Sequence, residues 1–211
     1  MRSPDKKVFF DNYVFLVSKN VYEPAEDSFL FAENLTVEKG ESVLDMGTGC
    51  GILGITAAKK AAKVVAADIN PYAVQCAKEN AKLNEALDKM FFVQGDLFTP
   101  INTEAKFDLI LFNAPYLPSE PSEDNSWLGR AWTGGVTGRQ IIDRFICEAP
   151  KHLKENGRIL LMQSTLSDVH KTLRGFEKNG LRTNIVAKRA LPFFEAIVLV
   201  KADRQAIFLK S

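Results

Sequence analysis

At 211 residues, 46% of them hydrophobic, the chain can bury the core of one α/β domain and is too short for a second full one. Its net charge of +1 supplies no global positive field toward nucleic acid, which leaves only a local basic patch open. Three widely spaced cysteines without a Cys-x-x-Cys, and two histidines, argue against a metal site and for reduced thiols in a cytoplasmic setting, each cysteine a small apolar filler.

The longest apolar runs, Leu109–Phe112 and Ala196–Val200, are far too short to span a bilayer, and no signal-peptide hydrophobic region follows Met1–Lys7. Residues 1–20 read as an N-terminal arm, in which 8–17 is either a strand or a loose apolar segment, and 21–211 as a single domain. Pro24 at a first helical position, with Glu23, Glu26 and Asp27 around it, predicts a helix start whose acids complement the dipole of the first turn. Phe29, Leu30 and Phe31 give that helix its packing surface.

Val43-Leu-Asp-Met-Gly-Thr-Gly-Cys-Gly-Ile-Leu-Gly54 reads as a strand, a glycine turn and the beginning of a helix running to about Lys60, the opening of a nucleotide-binding unit. Gly49-x-Gly51-x-x-Gly54 matches the dinucleotide fingerprint, which brings an anionic pyrophosphate to the helix N-terminus. A carboxylate at Asp45, where the strand enters the turn, opposes that anion and suits a cationic ammonium or sulfonium. The run Asp-x-Gly-x-Gly-x-Gly resembles motif I of the Rossmann-like S-adenosylmethionine-dependent methyltransferases.

Strands at 63–68, 90–94, 107–112 and 157–163 then alternate with helices at 71–83, 138–149 and 166–178, which predicts a mostly parallel sheet with helices on both faces. Two last strands, 181–188 and 194–201, predict a closing antiparallel hairpin. Phe91, Phe92 and Val93 read as core strand, or as an edge offered to a partner. The loop over 117–130, rich in Pro, Ser and Glu, is expected to order around a substrate. Asp45, Asp68, Asp96 and Asn113 lie at the carboxyl ends of four successive strands, where open α/β sheets bind ligands. Asp68 is placed for the ribose hydroxyls of NAD or S-adenosylmethionine, or to cap the next helix, a role that suits Asn70 better. Asp96 is placed for an adenine amino group or is a solvated turn carboxylate, and Leu97 can pack on the adenine face.

Asn113-Ala-Pro-Tyr116 resembles the [Asn/Asp]-Pro-Pro-aromatic signature of enzymes that methylate a planar, weakly nucleophilic nitrogen, among them amino-methyltransferases of bases and glutamine methyltransferases of the HemK/PrmC kind. The lone pair of such a nitrogen is delocalised. The Asn113 oxygen and the carbonyl of Ala114 could each accept one N–H and so aim it, while Tyr116 stacks on the planar group. Ala114 stands where the first Pro is usual, which removes a φ lock but keeps the carbonyl.

Val21-Tyr-Glu-Pro-Ala-Glu-Asp-Ser-Phe29 and Ala131-Trp-Thr-Gly-Gly-Val-Thr-Gly-Arg-Gln-Ile-Ile-Asp-Arg-Phe145 complete a resemblance, over about 21–200, to the HemK-like branch found in archaea and eukaryotes. That resemblance implies a seven-stranded class I methyltransferase fold and methylation of the glutamine in the Gly-Gly-Gln motif of class 1 release factors. It also implies a heterodimer with a small zinc-binding activator. Residue by residue it implies that Ser28 (commonly Thr), Asp45, Gly47, Gly49, Asp68, Asp96, Leu97 and Asn113 hold S-adenosylmethionine. Asn113, Ala114, Pro115 and Tyr116 then hold the glutamine. Trp132 is implied as a wall of the substrate pocket or as packing beneath the loop, and Gly134 and Gly135 as further walls. Arg139, Asp143 and Arg144 share a helical face and are expected to pair with one another. Methylation of adenine in nucleic acid, of a lysine in another protein, or cofactor binding without catalysis are the rival readings. A dehydrogenase is the weakest, given Asp45.

Overall fold

The computed structural model describes residues 6–120, 126–193 and 195–204. Part of the expected 117–130 loop (121–125), Phe194 at the head of the expected last strand, and both chain ends lie outside the described residues.

Residues 8–17 fall in a two-stranded antiparallel sheet, β1 (Lys6–Phe10) and β2 (Tyr13–Val17), joined through Asp11 at φ +51°. The outer edge of β2 is covered by two asparagines one turn apart. Asn80 accepts from Leu16 N and donates to Leu16 O, and Asn84 does the same for Val14. A side-chain amide offers both a donor and an acceptor, as a peptide unit does, so each asparagine stands in for a neighbouring strand residue.

Helix α1 (Glu26–Glu33) begins two residues after Pro24, because Ala25 stays extended as its N-cap. The glycine-rich segment forms β3 (Ser42–Met46), then α2 (Ile52–Ala58) beginning after left-handed Gly51. Next come β4 (Lys63–Asp68) and α3 (Pro71–Leu83), the latter with Pro71 at its first position and the Asn70 side chain accepting from Tyr72 N. Asn70, not Asp68, is thus the cap. After β5 (Met90–Gln94) and β6 (Phe107–Asn113) come α4 (Gln140–Glu148) and β7 (Leu153–Ser164). Strand β7 starts four residues before the expected Gly157. It pairs Leu153 with Phe107 across a register shift. The expected 166–178 helix splits into a 3₁₀ turn, Thr165–Ser167, and α5 (Val169–Lys178), because Asp168 at φ +51° caps the latter by accepting from Lys171 N. Strands β8 (Leu181–Ala190) and β9 (Ala196–Arg204) close the chain as the antiparallel hairpin.

The sheet order is β5-β4-β3-β6-β7-β9-β8, with β5 through β7 parallel and β9 antiparallel to both neighbours. This is the expected mostly parallel, seven-stranded class I methyltransferase fold. β3 is buried at every position, and its alternate residues feed two cores. Val43 packs with α1, α2 and α3, while Leu44 and Met46 face Phe112, Phe145 and Phe176 on the side of α4 and α5. The order in which strands are added reverses at β3, β4 and β5 lying to one side and β6 and β7 to the other, which opens a crevice at the carboxyl ends of these parallel strands.

Candidate active site

A cavity of about 460 Å³ fills that crevice. Its floor is the glycine turn, with Gly47, Gly49 and Gly51 all at positive φ. At Gly47 a Cβ would come within 3.2 Å of the Phe112 ring, so only glycine gives both the left-handed turn and the room. Ser28, Gly47, Gly49, Asp68, Asp96, Leu97, Asn113, Ala114, Pro115, Tyr116 and Trp132, drawn from across the chain, all line this one cavity.

Asp45 does not line it. Strand alternation turns its side chain toward α2, where Oδ2 accepts from the Thr48 hydroxyl at 2.7 Å and from Gly54 N at 2.9 Å. The acid therefore braces the glycine turn from beneath and does not face a ligand directly. Burial, opposed by those two bonds, pushes its carboxyl up to about 7, and Oδ1 is left without a partner. An unfolded chain ionises this group near 4. Its contribution to stability is therefore greatest below that pH and is lost as pH rises toward 7, because the unfolded chain ionises first. We expect the thermal midpoint of the wild type to decline over this window, by on the order of 1 kcal/mol or more of stability. Asp45→Asn, shaped like the protonated acid, should flatten the decline. A variant that declines in parallel with the wild type would assign it to another group.

Asp68 ties the turn to the end of β4: Oδ2 accepts from Gly49 N and Oδ1 from Asn70 N, each at 2.9 Å, and burial raises its carboxyl. Asp96 stands at the rim, paired at 2.6 Å with Arg144. Both side chains are more than two-fifths exposed, so the pair contributes little to stability and orients more than it holds. Arg144 thus leaves the expected cluster with Arg139 and Asp143. Buried Arg139 does pair with Asp143 and also donates to the carbonyls of Ser167 and Asp168, an anchor for the loop ahead of α4. Leu97 is held buried at φ +47°, a strain of about 1 kcal/mol, which sets an apolar wall beside Asp96. Cys50 lines the cavity as a buried thiol whose pKa burial raises, so it is inert. Cys147 is exposed and is not the filler expected.

The group that sequence reasoning passed over is Asp27. Its side chain is buried beside Asn113, 86 residues away in the chain. Oδ2 accepts from Asn113 Nδ2 at 3.2 Å and from the Tyr116 hydroxyl at 3.1 Å. Oδ1 accepts from the Tyr22 hydroxyl at 3.3 Å and from Ser28 N and Oγ at 2.6 and 3.1 Å. Asn113 Nδ2 also donates to Ser28 Oγ at 3.2 Å. A carboxylate only accepts, so it dictates which end of the Asn113 amide faces it. Asn113 Oδ1 is therefore fixed as a buried acceptor, and it has no partner. Leaving such an oxygen unpaired costs about 1–3 kcal/mol, a cost that an N–H donor brought against it would relieve. Burial, then the Asp27 charge, raises the pKa of both the Tyr22 and Tyr116 hydroxyls, which keeps them as protonated donors at neutral pH. Trp132 stands edge-on to Tyr22 at 6.5 Å and is half-exposed at the mouth, a cavity wall rather than packing beneath the loop.

The ribosomal protein L11 methyltransferase family (PrmA) matches residues 28–114. A Methanocaldococcus jannaschii protein provisionally named a protein N5-glutamine methyltransferase is 47% identical, over 85% of this chain and 90% of its own length. Human methyltransferase HEMK2 is 32% identical, over 81% and 84%. The structure of the E. cuniculi Mtq2–Trm112 complex, described as responsible for methylation of the eRF1 translation termination factor, superposes with a TM-score of 0.65 at 25% identity. It covers 88% of this chain and 99% of that one.

Proposed function

The chain belongs to the family of protein N5-glutamine methyltransferases that includes HEMK2, and from that premise we propose that it methylates the side-chain amide of the glutamine in the Gly-Gly-Gln motif of a class 1 release factor. The observation that carries this reading is the unpartnered, buried Oδ1 of Asn113, held in place by Asp27 and Ser28.

Bound S-adenosylmethionine supplies the methyl group as an electrophile on a sulfonium. The residues present fit it: a glycine turn with room for close approach, Asp68 at the floor, and Leu97 and Asp96 at the far wall. The chain's own task is the nucleophile. An amide NH2 has its lone pair drawn into the carbonyl. With one N–H on Asn113 Oδ1 and the second on the Ala114 carbonyl, that pair turns toward the incoming carbon. Neither oxygen is a base: the two acceptors stabilise the positive charge that develops on the nitrogen, and the surplus proton passes to water once the N–C bond has formed. Tyr116, its hydroxyl fixed by Asp27, offers a ring face to the planar amide. A lysine needs no such paired acceptors once deprotonated, so the arrangement favours an amide.

The enzyme's setting on this reading is the cytoplasm, and its partner a small, zinc-binding subunit; a complex of this kind is in line with Mtq2, whose structure is that of a complex with Trm112. The two sheet edges support a place for it. Strand β8 carries a bulge near Ile185 and charged Lys188 and Arg189, which discourage pairing. Strand β5 is unbulged, pairs only with β4 among the described residues, and leaves Phe91 57% exposed.

The test is transfer of label from S-adenosylmethionine, with and without the small subunit. Acceptors are an intact release factor, its Gln→Ala variant and an adenine-containing oligonucleotide. Label on the intact factor alone is the expected result, and label on the oligonucleotide would reassign the substrate.

A further inference from the structure

Three large apolar side chains stand in solvent on segments beyond the carboxyl ends of β6 and β7 and in the β8–β9 turn: Phe193 is 97% exposed, Val136 72% and Leu166 53%. Their segments are tied to one another and to the loop that follows Asn113. The turn carrying Val136 is closed by Gly138 N donating to Gly135 O at 2.8 Å. Gly138 lies so close to the Tyr116 carbonyl that a Cβ there would sit 2.2 Å from it. Gly138 also abuts Ser167, next to Leu166. One residue further back, the Thr165 hydroxyl accepts from Ala196 N at the base of the β8–β9 turn. That turn is closed by Leu191 N donating to Glu195 O, and it carries Phe193 at φ +62°. Leu191 packs against the same core as Tyr116.

Folding does not account for Phe193. It buries almost nothing, and the left-handed region suits glycine or asparagine, not an aromatic. An aromatic held out on a strained, closed turn is shaped for contact with another surface. A cavity of about 460 Å³ admits small molecules and side chains, not the folded body that presents a glutamine, and that body must rest on the rim.

We propose that Phe193, Leu166 and Val136 form a docking patch for apolar surface on the folded domain of the protein substrate, beside the loop that bears its glutamine. This rests on the release-factor reading above. The Asp96–Arg144 pair marks the polar side of the mouth, and the apolar patch marks the side on which the substrate body lies.

The experiment compares the full chain, with its small subunit, to Phe193→Ser and to Phe193→Ser with Leu166→Ser. Substrates are the intact factor and a short peptide carrying Gly-Gly-Gln, and calorimetry measures binding of the intact factor's Gln→Ala variant. For Phe193→Ser we expect KM for the intact factor, and Kd for its variant, to rise about tenfold, ~1.4 kcal/mol, at unchanged kcat. The double variant should lose more, and peptide kinetics should not move. Unchanged binding of the factor, or equal loss on factor and peptide, would overturn the patch. So would loss of the small subunit from the variant, which would identify that subunit as the occupant. A wild type that labels the intact factor while the variants match it rejects the patch alone. A wild type that labels neither substrate rejects the release-factor reading, and the patch with it.

Discussion

Asn113→Ala is expected to lower kcat by roughly 10²–10³, about 3–4 kcal/mol of transition-state stabilisation, while cofactor binding stays near wild type. The change removes the one acceptor that the surrounding network fixes and leaves unpartnered. Single-turnover transfer and cofactor calorimetry together check it. A loss of cofactor affinity as large as the loss of rate would recast Asn113 as a binding residue. Asn113→Asp sharpens the point. It restores an acceptor but sets a second carboxylate where Nδ2 now lies 3.2 Å from Asp27, and like charges so close resist joint ionisation. That variant should be poor at neutral pH and recover in part as pH falls and one carboxyl takes up a proton.

Asp27→Asn should lower kcat by roughly 10- to 100-fold with little change in KM, the range expected when a catalytic group loses its orienting partner. An asparagine there can present its own NH2 to Asn113, which frees the Asn113 amide to turn over and point a donor at the substrate nitrogen. A purely structural role would lower stability without this split. A second readout follows from the phenols. After burial, the Asp27 charge is the next cause that raises Tyr22 and Tyr116, so ultraviolet titration of the variant should show both ionising at lower pH than in the wild type. An unmoved tyrosine titration would remove Asp27 from its central place.

Much of this was legible in the sequence, for reasons that differ by element. Helix α3 declares itself through Asn70-Pro71 and buried residues at helical spacing, and the strands through apolar runs that end on acids. The cavity could be drawn from those strand ends because parallel strands bring their carboxyl ends to one side. Asp27 could not be, since an acid in a first helical turn already has an inexpensive explanation in the helix dipole. Its real partners lie 86 and 89 residues along. The one available hint was Asp27 and Ser28 side by side next to an apolar run. Asp45 was identified as important and given the wrong neighbours. The alternation that sends Met46 toward one core sends Asp45 under α2, and Thr48 in the turn and Gly54 in the first turn of α2 engage its oxygen. Residues 8–17 give no clear strand signal because the outer edge of β2 is paired by the side chains of Asn80 and Asn84 and not by another strand, which no strand pattern encodes.

The reach from Asp27 to Asn113 and Tyr116 has a consequence for synthesis. A chain growing from its N-terminus makes the carboxylate early and must then wait through β3, β4, β5 and most of β6 before there is an amide for it to align. The glycine turn and its acids can assemble from the first hundred or so residues, but the acceptor geometry cannot. Nascent chains arrested at successive lengths should therefore acquire ligand affinity and nitrogen-activating competence at two separate points, the second only after Tyr116 has cleared the ribosome.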